Sequence, residues 1–190
     1  MPSSAETFDA AIRGAADAVL DAVAYAGLAR PVILIDGRSG AGKTTLAALL
    51  RERWQGEVQV VALDDVYPGW DGLAAGAEIV RAQILEPLAS GTSAHWHRWD
   101  WEREQTGAGV TADAAVPVIV EGSGVLTPAS ARLAPIRVWL ESPTASRRER
   151  ALARDGDTYR PHWDRWAAQE DVHLAADDPQ ALATIVARVP

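Results

Sequence analysis

The sequence of 190 residues has no cysteine, and it has only one methionine and one phenylalanine. The lack of cysteine excludes disulfides and metal sites built from thiolates. No apolar run approaches the roughly 20 residues that a helix needs to cross a bilayer, so we expect no membrane partner.

Basic residues are also scarce. The chain carries 26 Asp+Glu against 18 Lys+Arg, which gives a formal net charge of -8. A protein that binds nucleic acid by neutralising its phosphates needs the opposite balance, and we expect no nucleic-acid partner. Acids at Glu6, Asp9 and Asp17 stand where a secretory signal peptide would be basic. These features predict a cytoplasmic protein with one domain, 1–190, and leave its oligomeric state open.

Lysine is the scarcest charged residue, because Lys43 is the only one and the other 17 basic residues are arginines. Codon bias is the ordinary explanation of so many arginines. Lysine carries a compact charge on a slim stem, whereas arginine carries a wide planar fork. A lysine that occurs despite this bias indicates a site that requires a compact positive charge on a slim side chain.

Short apolar runs alternate with segments of helical spacing along the chain. Predicted strands cover 32–35, 58–63, 116–120 and 136–140, and predicted helices cover 5–26, 44–54, 73–89, 143–155 and about 160–175. Residues 93–102 are predicted to be extended, 107–115 to form a turn or loop, and 181–189 to form a last helix or an edge strand. This alternation predicts an α/β fold, a three-layer α/β/α sandwich around a mostly parallel sheet.

Residues 37–44 match the pattern G-x-x-x-x-G-K-[ST] of a phosphate-binding P-loop and lie between a predicted strand and a predicted helix. Glycines let successive N–H groups curl around phosphates, and the helix N-terminus adds its positive end. Lys43 would reach the β- and γ-phosphates of a nucleoside triphosphate, and the Thr44 hydroxyl would bind Mg²⁺. The alternative is a glycine-rich turn without a ligand. The predicted nucleotide-binding residues are Gly37, Ser39, Gly40, Ala41, Gly42, Lys43, Thr44, Thr45 and, further along the chain, Arg154.

Acidic residues follow two other predicted strands. Asp64 and Asp65 end the second strand, and Glu121 ends the third. The carboxyl ends of parallel strands meet at one edge of a sheet, and phosphoryl transfer needs Mg²⁺ ligands and a group that accepts the acceptor's proton. We predict a metal set of Thr44, Asp64 and Glu121, with Asp64 as the base. Asp65 is the alternative base, and the ordinary alternatives are a turn acid and a helix N-terminal acid.

Arg147, Arg150 and Arg154 are spaced at i, i+3 and i+7, so they share one face of a predicted helix. Such a row suits a helical lid, about 143–165, that closes on the phosphates and stabilises transferring charge. We predict catalytic roles for Arg147 and Arg150 beside Lys43. The alternative is a solvated basic face that pairs with Glu149 and Asp155.

Three tryptophans fall within six residues, namely Trp96, Trp99 and Trp101. In an extended segment a planar ring of the substrate could stack on an indole while Arg98 or Asp100 bonds to its edge. This predicts Arg98, Trp99 and Trp101 as substrate contacts. Core packing is the alternative. A metal site from His95 and His97 lacks a clear third ligand.

The order of these elements from residue 31 to about 170 resembles the uridine kinase, phosphoribulokinase and pantothenate kinase group of P-loop kinases. The segment Leu63-Asp64-Asp65-Val66-Tyr67 resembles their Asp-x-Phe-Tyr motif, with Val66 in place of Phe. The resemblance implies that Asp64 is the catalytic base near the metal and that Tyr67 belongs to the substrate site.

Three further segments carry the same resemblance. Val118-Ile119-Val120-Glu121-Gly122 is similar to the strand-Glu-Gly segment whose Glu helps to bind Mg²⁺. Arg98-Trp99-Asp100-Trp101 resembles the Tyr-Asp-Phe segment of the substrate-contacting hairpin, which implies a small substrate-side hairpin at about 93–115. Ser146-Arg147-Arg148 with Arg154-Asp155 resembles the lid. The implied fold is a P-loop NTPase sandwich, and the implied cofactors are ATP and Mg²⁺.

The function predicted from these features is transfer of the ATP γ-phosphate to a hydroxyl of a nucleoside or a similar small metabolite. Other acceptors stay open: a nucleoside monophosphate, pantothenate or a sugar acid. A second class is a nucleotide-binding regulator or NTPase without a small-molecule acceptor. An Asn-Lys-x-Asp guanine motif is excluded because Lys43 is the only lysine.

Overall fold

A computed structural model describes residues 3–190 as a layered α/β protein. The strands are β1 (Val32–Gly37), β2 (Gln59–Ala62), β3 (Ala94–Asp100), β4 (Gln105–Ala112), β5 (Val118–Glu121), β6 (Ile136–Glu141) and β7 (Ile185–Arg188). The helices are α1 (Ser4–Ala26), α2 (Lys43–Arg53), α3 (Leu73–Ile79), α4 (Glu86–Ala89), α5 (Pro128–Ala131), α6 (Thr144–Tyr159), α7 (Trp163–Asp177) and α8 (Pro179–Leu182). A π-helical turn, Val80–Leu85, joins α3 to α4, and 3-10 turns form at Leu63–Asp65 and Arg160–His162.

Five parallel strands form the central sheet in the order β2-β5-β1-β6-β7. Successive side chains of β1 point to opposite faces, so Ile33 and Ile35 pack in one core and Leu34 packs in the other. Helices cover both faces, which confirms the predicted three-layer α/β sandwich. Glu121 lies between Ile35 and Ala62 in the register, so the carboxyl ends of three strands meet at one edge.

Helix α1 begins and ends on clear local signals. Ser3 and Glu6 form a reciprocal capping box at its start, and Gly27 ends it at φ 60°. One face of α1, with Ile12 and Val19, is buried against the sheet and α2. Among residues 3–190, no helix has both the length and the apolar character that crossing a membrane requires.

The prediction of a turn or loop over 107–115 is wrong, because residues up to Ala112 form β4, which pairs antiparallel with β3. Gly107 and Gly109 leave no alternating apolar pattern, and most of β4 is exposed. The β3–β4 hairpin itself matches the predicted 93–115 hairpin. At the other end of the chain, the last segment forms the edge strand β7 and not a long helix.

The helix predicted over 143–155 is α6, which extends to Tyr159 across a kink. Gly156 has φ 58° and ψ -134°, a conformation that favours glycine. The sequence pattern does not indicate that the helix resumes after this residue.

The loop after β1 passes close to α6. A Cβ atom at Gly40 would overlap the backbone carbonyl of Arg147, and Gly40 has φ +79°. Both facts restrict this position to glycine.

We expect Gly40→Ala to destabilise the protein by more than about 2 kcal/mol, since it adds backbone strain to a steric overlap. The control is Gly14→Ala, whose new methyl group meets nothing within 4 Å on the exposed side of α1 and should stabilise by about 0.5–1 kcal/mol. Urea unfolding measures both free energies. Equal effects of the two substitutions would contradict the close approach of loop and helix.

Candidate active site

A cavity of about 610 Å³ opens at the edge where β1, β2 and β5 end. Its lining residues come from the loop after β1 and the start of α2, the end of β2 and the segment after it, the turn between β3 and β4, the end of β5 and the segment after it, the C-terminal part of α6, and α7. They are Ser39, Gly40, Lys43, Thr44, Ala62, Asp64, Tyr67, Trp70, Trp101, Glu121, Ser123, Arg154, Asp155, Thr158, Tyr159 and Trp166. Most of the residues predicted to bind phosphate and metal therefore share one cavity.

Lys43 stands at the start of α2 with its stem buried. Its Nζ donates to the Ser123 hydroxyl at 3.2 Å and to the Arg38 carbonyl at 3.3 Å. Within residues 3–190, no carboxylate lies within 4.0 Å of this ammonium group. Neutral partners thus hold the ammonium group in the cavity, where it can bind an anion.

Thr44 and Glu121 place two oxygen ligands side by side. The Thr44 hydroxyl donates to Glu121 Oε1 at 2.9 Å, and Glu121 is 4% exposed. Burial raises the pKa of Glu121, the charge of Asp64 raises it further, and Lys43 and the Thr44 hydrogen bond oppose the rise. A cation in the cavity would offset the free-energy cost of burying the Glu121 carboxylate in its charged form.

The residues present fit Mg²⁺, which binds through oxygen ligands. No cluster of three or more His, Cys, Asp or Glu side chains in the described part of the chain could hold a metal by itself. Mg²⁺ usually takes one or two carboxylates and completes its shell with water and substrate phosphates. Thr44, Glu121 and Asp64 match that partial set.

The neighbouring acids Asp64 and Asp65 diverge at the 3-10 turn after β2. Asp64 lines the cavity, and its carbonyl accepts a hydrogen bond from Trp101 Nε1 at 2.7 Å. Asp65 points away toward Arg98, whose Nε lies 3.4 Å from Asp65 Oδ2. Of the two, Asp64 is therefore the acid that can reach a bound substrate.

The arginine row on α6 divides between two environments. Arg147 donates to the Ser39 carbonyl at 3.1 Å, and Arg150 donates to the Gly40 carbonyl at 2.9 Å. Because the N–H groups of such a loop point inward, both arginines hold its outer side and do not line the cavity. Arg154 alone of the row lines the cavity, where it pairs with Asp155 at 2.7 Å.

Only some of the predicted substrate contacts line the cavity. Trp101 and Tyr67 line the cavity, although Tyr67 is buried and its hydroxyl donates to the Ser123 carbonyl at 2.7 Å. Arg98 and Trp99 lie outside the cavity. Thr45 faces a separate groove between α1 and α2.

Several lining residues were missed by sequence reasoning. Trp70 packs against Trp101 at 4.9 Å between ring centroids and stacks on His162 at 4.1 Å. Tyr159 and Trp166 complete this aromatic wall. Trp70 follows Asp64 by only six residues, which is a usable signal, but the other two come from distant helices with no shared spacing.

A buried charge network lies behind the loop. Asp36 is 1% exposed and accepts three backbone N–H bonds, from Gly37, Gly124 and Leu126. His173 Nε2 lies 3.1 Å from Asp36, and His173 Nδ1 lies 2.8 Å from Asp177. Burial alone would lower the pKa of His173, but hydrogen bonds and charge from Asp36 and Asp177 raise it above its ordinary value. This network ties α7 to the end of β1.

Solved structures share this fold. A protein assigned as a possible uridine kinase, from Bacillus stearothermophilus, aligns over 94% of this chain and 97% of its own, with a TM-score of 0.65 and 20% identity. A protein assigned as a fructose transport system kinase, from Silicibacter sp. TM1040, aligns over 92% of this chain and 98% of its own, with a TM-score of 0.55 and 19% identity. The chain has the fold of uridine kinase-like P-loop kinases, as the resemblance implied.

A sequence relative points to a wider class. A tRNA dimethylallyltransferase from Halorhodospira halophila is 31% identical over an alignment of 140 residues, and the match covers 65% of this chain. The match spans 44% of that relative's length. No protein-family model matches the chain. Together these likenesses support a kinase or a related P-loop transferase.

We expect His173→Gln to destabilise the protein by about 2 kcal/mol at pH 6, because it removes a charged donor between the buried carboxylate of Asp36 and the partly exposed carboxylate of Asp177. A raised folded-state pKa contributes stability that is fully present below the unfolded value of about 6.5 and is lost as pH rises through the folded value. The difference in the free energy of unfolding between wild type and variant should therefore decrease from pH 6 to pH 9. Urea unfolding across this range measures it, and a gap that grows with pH would contradict the network.

Proposed function

We propose that this protein is an ATP-dependent kinase that transfers the γ-phosphate to a hydroxyl of a nucleoside or a similar neutral metabolite. One observation carries the proposal. Asp64, a carboxylate without a cationic partner among the described side chains, lines the same cavity as Lys43 and Thr44 of the phosphate loop. A base and a phosphate cradle in one cavity are the two parts that transfer to a hydroxyl requires.

The loop at residues 37–44 would hold the triphosphate through its inward N–H groups and the positive end of α2. Lys43 would leave the Ser123 hydroxyl and donate to the β- and γ-phosphates. Arg154, at the cavity wall, would balance charge on the transferring group. Thr44, Asp64 and Glu121 would hold Mg²⁺, which when bound neutralises phosphate charge.

Transfer forms a bond between the acceptor oxygen and the γ-phosphorus and breaks the bond to the β,γ-bridging oxygen. ADP leaves with the electron pair of the broken bond. Asp64 accepts the proton of the attacking hydroxyl. The exposure of Asp64 supports this role, since an exposed carboxylate that lines the cavity is within reach of substrate.

The cavity walls favour a neutral acceptor with a planar ring. Away from the loop they consist of Trp70, Trp101, Tyr159 and Trp166, which suit stacking. Lys43 and Arg154 are the cationic side chains among the described lining residues, and the triphosphate needs both. A monophosphate, pantothenate or a sugar acid would bring a second anion toward Asp64 and Asp155, which opposes binding.

A second candidate is transfer of a dimethylallyl group, which the similarity to the tRNA dimethylallyltransferase favours. The formal net charge of -8 counts against an RNA acceptor. A reaction of this kind would need no γ-phosphate, so the choice of donor separates it from the kinase.

The test measures ADP release from ATP and Mg²⁺ with a panel of neutral nucleosides, nucleoside monophosphates, pantothenate and sugar acids. We expect one neutral ring-containing compound to stimulate release and to become phosphorylated. Asp64→Asn should then lower kcat by at least about 100-fold while ATP still binds, because the proton acceptor is lost.

Asp65→Asn is the matched control, since Asp65 pairs with Arg98 outside the cavity, and its kcat should change little. Release that no acceptor stimulates would refute the kinase assignment. An unchanged kcat in Asp64→Asn would refute the assignment of Asp64 as the proton acceptor.

A further inference from the structure

We infer that Glu170 is a positioning residue that presets the phosphate loop and Lys43 for a triphosphate, acting through Ser39 and Ser123. The inference rests on the proposed nucleotide site. Glu170 is on α7, far from the loop in sequence, and is 2% exposed. It does not line the cavity, whereas Ser39, Ser123 and Lys43 do.

Glu170 fixes the backbone of the loop directly. Its Oε1 accepts the Ser39 N–H at 2.5 Å, and its Oε2 accepts from Arg38 Nε at 3.0 Å. On the other side of the same residue, the Ser39 carbonyl accepts from Arg147. The two peptide planes that flank Ser39 are thus held from opposite sides, and the loop keeps its curvature without a ligand.

Glu170 reaches Lys43 through the Ser123 hydroxyl. Ser123 Oγ lies 3.1 Å from Glu170 Oε1, 3.0 Å from the Gly37 carbonyl and 3.2 Å from Lys43 Nζ. The hydroxyl has one hydrogen to donate, to the carboxylate or the carbonyl, and its lone pairs accept from Lys43. Donation to the carboxylate leaves a lone pair of the oxygen for Lys43, so Glu170 sets the position of the ammonium group through Ser123.

This arrangement keeps a negative charge near Lys43 without pairing the two. A direct ion pair would have to be broken before a phosphate could bind, whereas a hydroxyl relay leaves the ammonium ready to exchange one neutral acceptor for a phosphate oxygen. Arg38, itself part of the loop, balances the buried carboxylate.

The experiment measures equilibrium binding of ATP and Mg²⁺, without acceptor, for Glu170→Gln and for Asp171→Asn. Asp171 is the matched control, because it is the next residue on α7 and pairs with the same Arg38 at 2.8 Å but is exposed and has no bond to the loop backbone. We expect Glu170→Gln to weaken ATP binding about tenfold and Asp171→Asn to change it less than about twofold. Binding is measured well below each variant's unfolding temperature.

Ser123→Ala tests the relay without removing the buried charge, and it decides the question if Glu170→Gln fails to fold. It should weaken ATP binding about fivefold. The double variant should lose little more than the worse single variant, because both changes break one chain of bonds. If Glu170 had a purely structural role, its substitution would lower stability, and the effects of the two substitutions on ATP binding would show no coupling.

Unchanged ATP affinity in Glu170→Gln, an equal loss in Asp171→Asn, or unchanged affinity in Ser123→Ala overturns the inference. Independent losses in the double variant overturn it as well. A wild type that binds ATP but phosphorylates no acceptor refutes the proposed function and leaves this inference standing. A wild type that binds no ATP refutes both.

Discussion

The two peptide groups on either side of Ser39 set the geometry of the candidate site. A phosphate-binding loop must keep several N–H groups converging on one point, an arrangement in which their dipoles repel until an anion arrives. Here buried and half-buried side chains hold the curvature of the loop. Glu170 accepts the Ser39 N–H, while Arg147 and Arg150 donate to the carbonyls of Ser39 and Gly40. The curvature between β1 and α2 therefore depends on helices that come more than 100 residues later in the chain.

This dependence gives α6 two functions along its length. Its first turns carry Arg147 and Arg150, which are anchored behind the loop, and its end carries Thr158 and Tyr159, which line the cavity. Gly156 separates these parts with a conformation that other residues rarely adopt. A segment that lines the cavity is thus joined directly to one that holds the phosphate loop in place. Helix α7 reinforces the loop from behind through Glu170 and His173.

The central sheet and the part of the cavity around Lys43, Asp64 and Glu121 were predictable because local sequence patterns specify them. The glycine-lysine motif specifies its own loop, and the rule that parallel strands end at one edge brings Asp64 and Glu121 to it. The strand β4 was missed because Gly107 and Gly109 carry no apolar pattern. The spacing of the α6 arginines predicted a shared face but could not predict which surface that face meets. Tyr159 and Trp166 reach the cavity only through tertiary packing, which no periodicity records.

The single lysine offers the most direct test of the phosphate loop. Isotopic labelling of lysine at Cε alone gives one carbon signal, that of Lys43, in the NMR spectrum of the whole chain. Titration with ATP and Mg²⁺ should shift this signal to saturation, ADP should shift it as well, and adenosine should leave it in place, because the ammonium exchanges the Ser123 hydroxyl for phosphate oxygens. A Lys43 signal that does not respond to ATP would contradict the assignment of residues 37–44 as a nucleotide-binding loop.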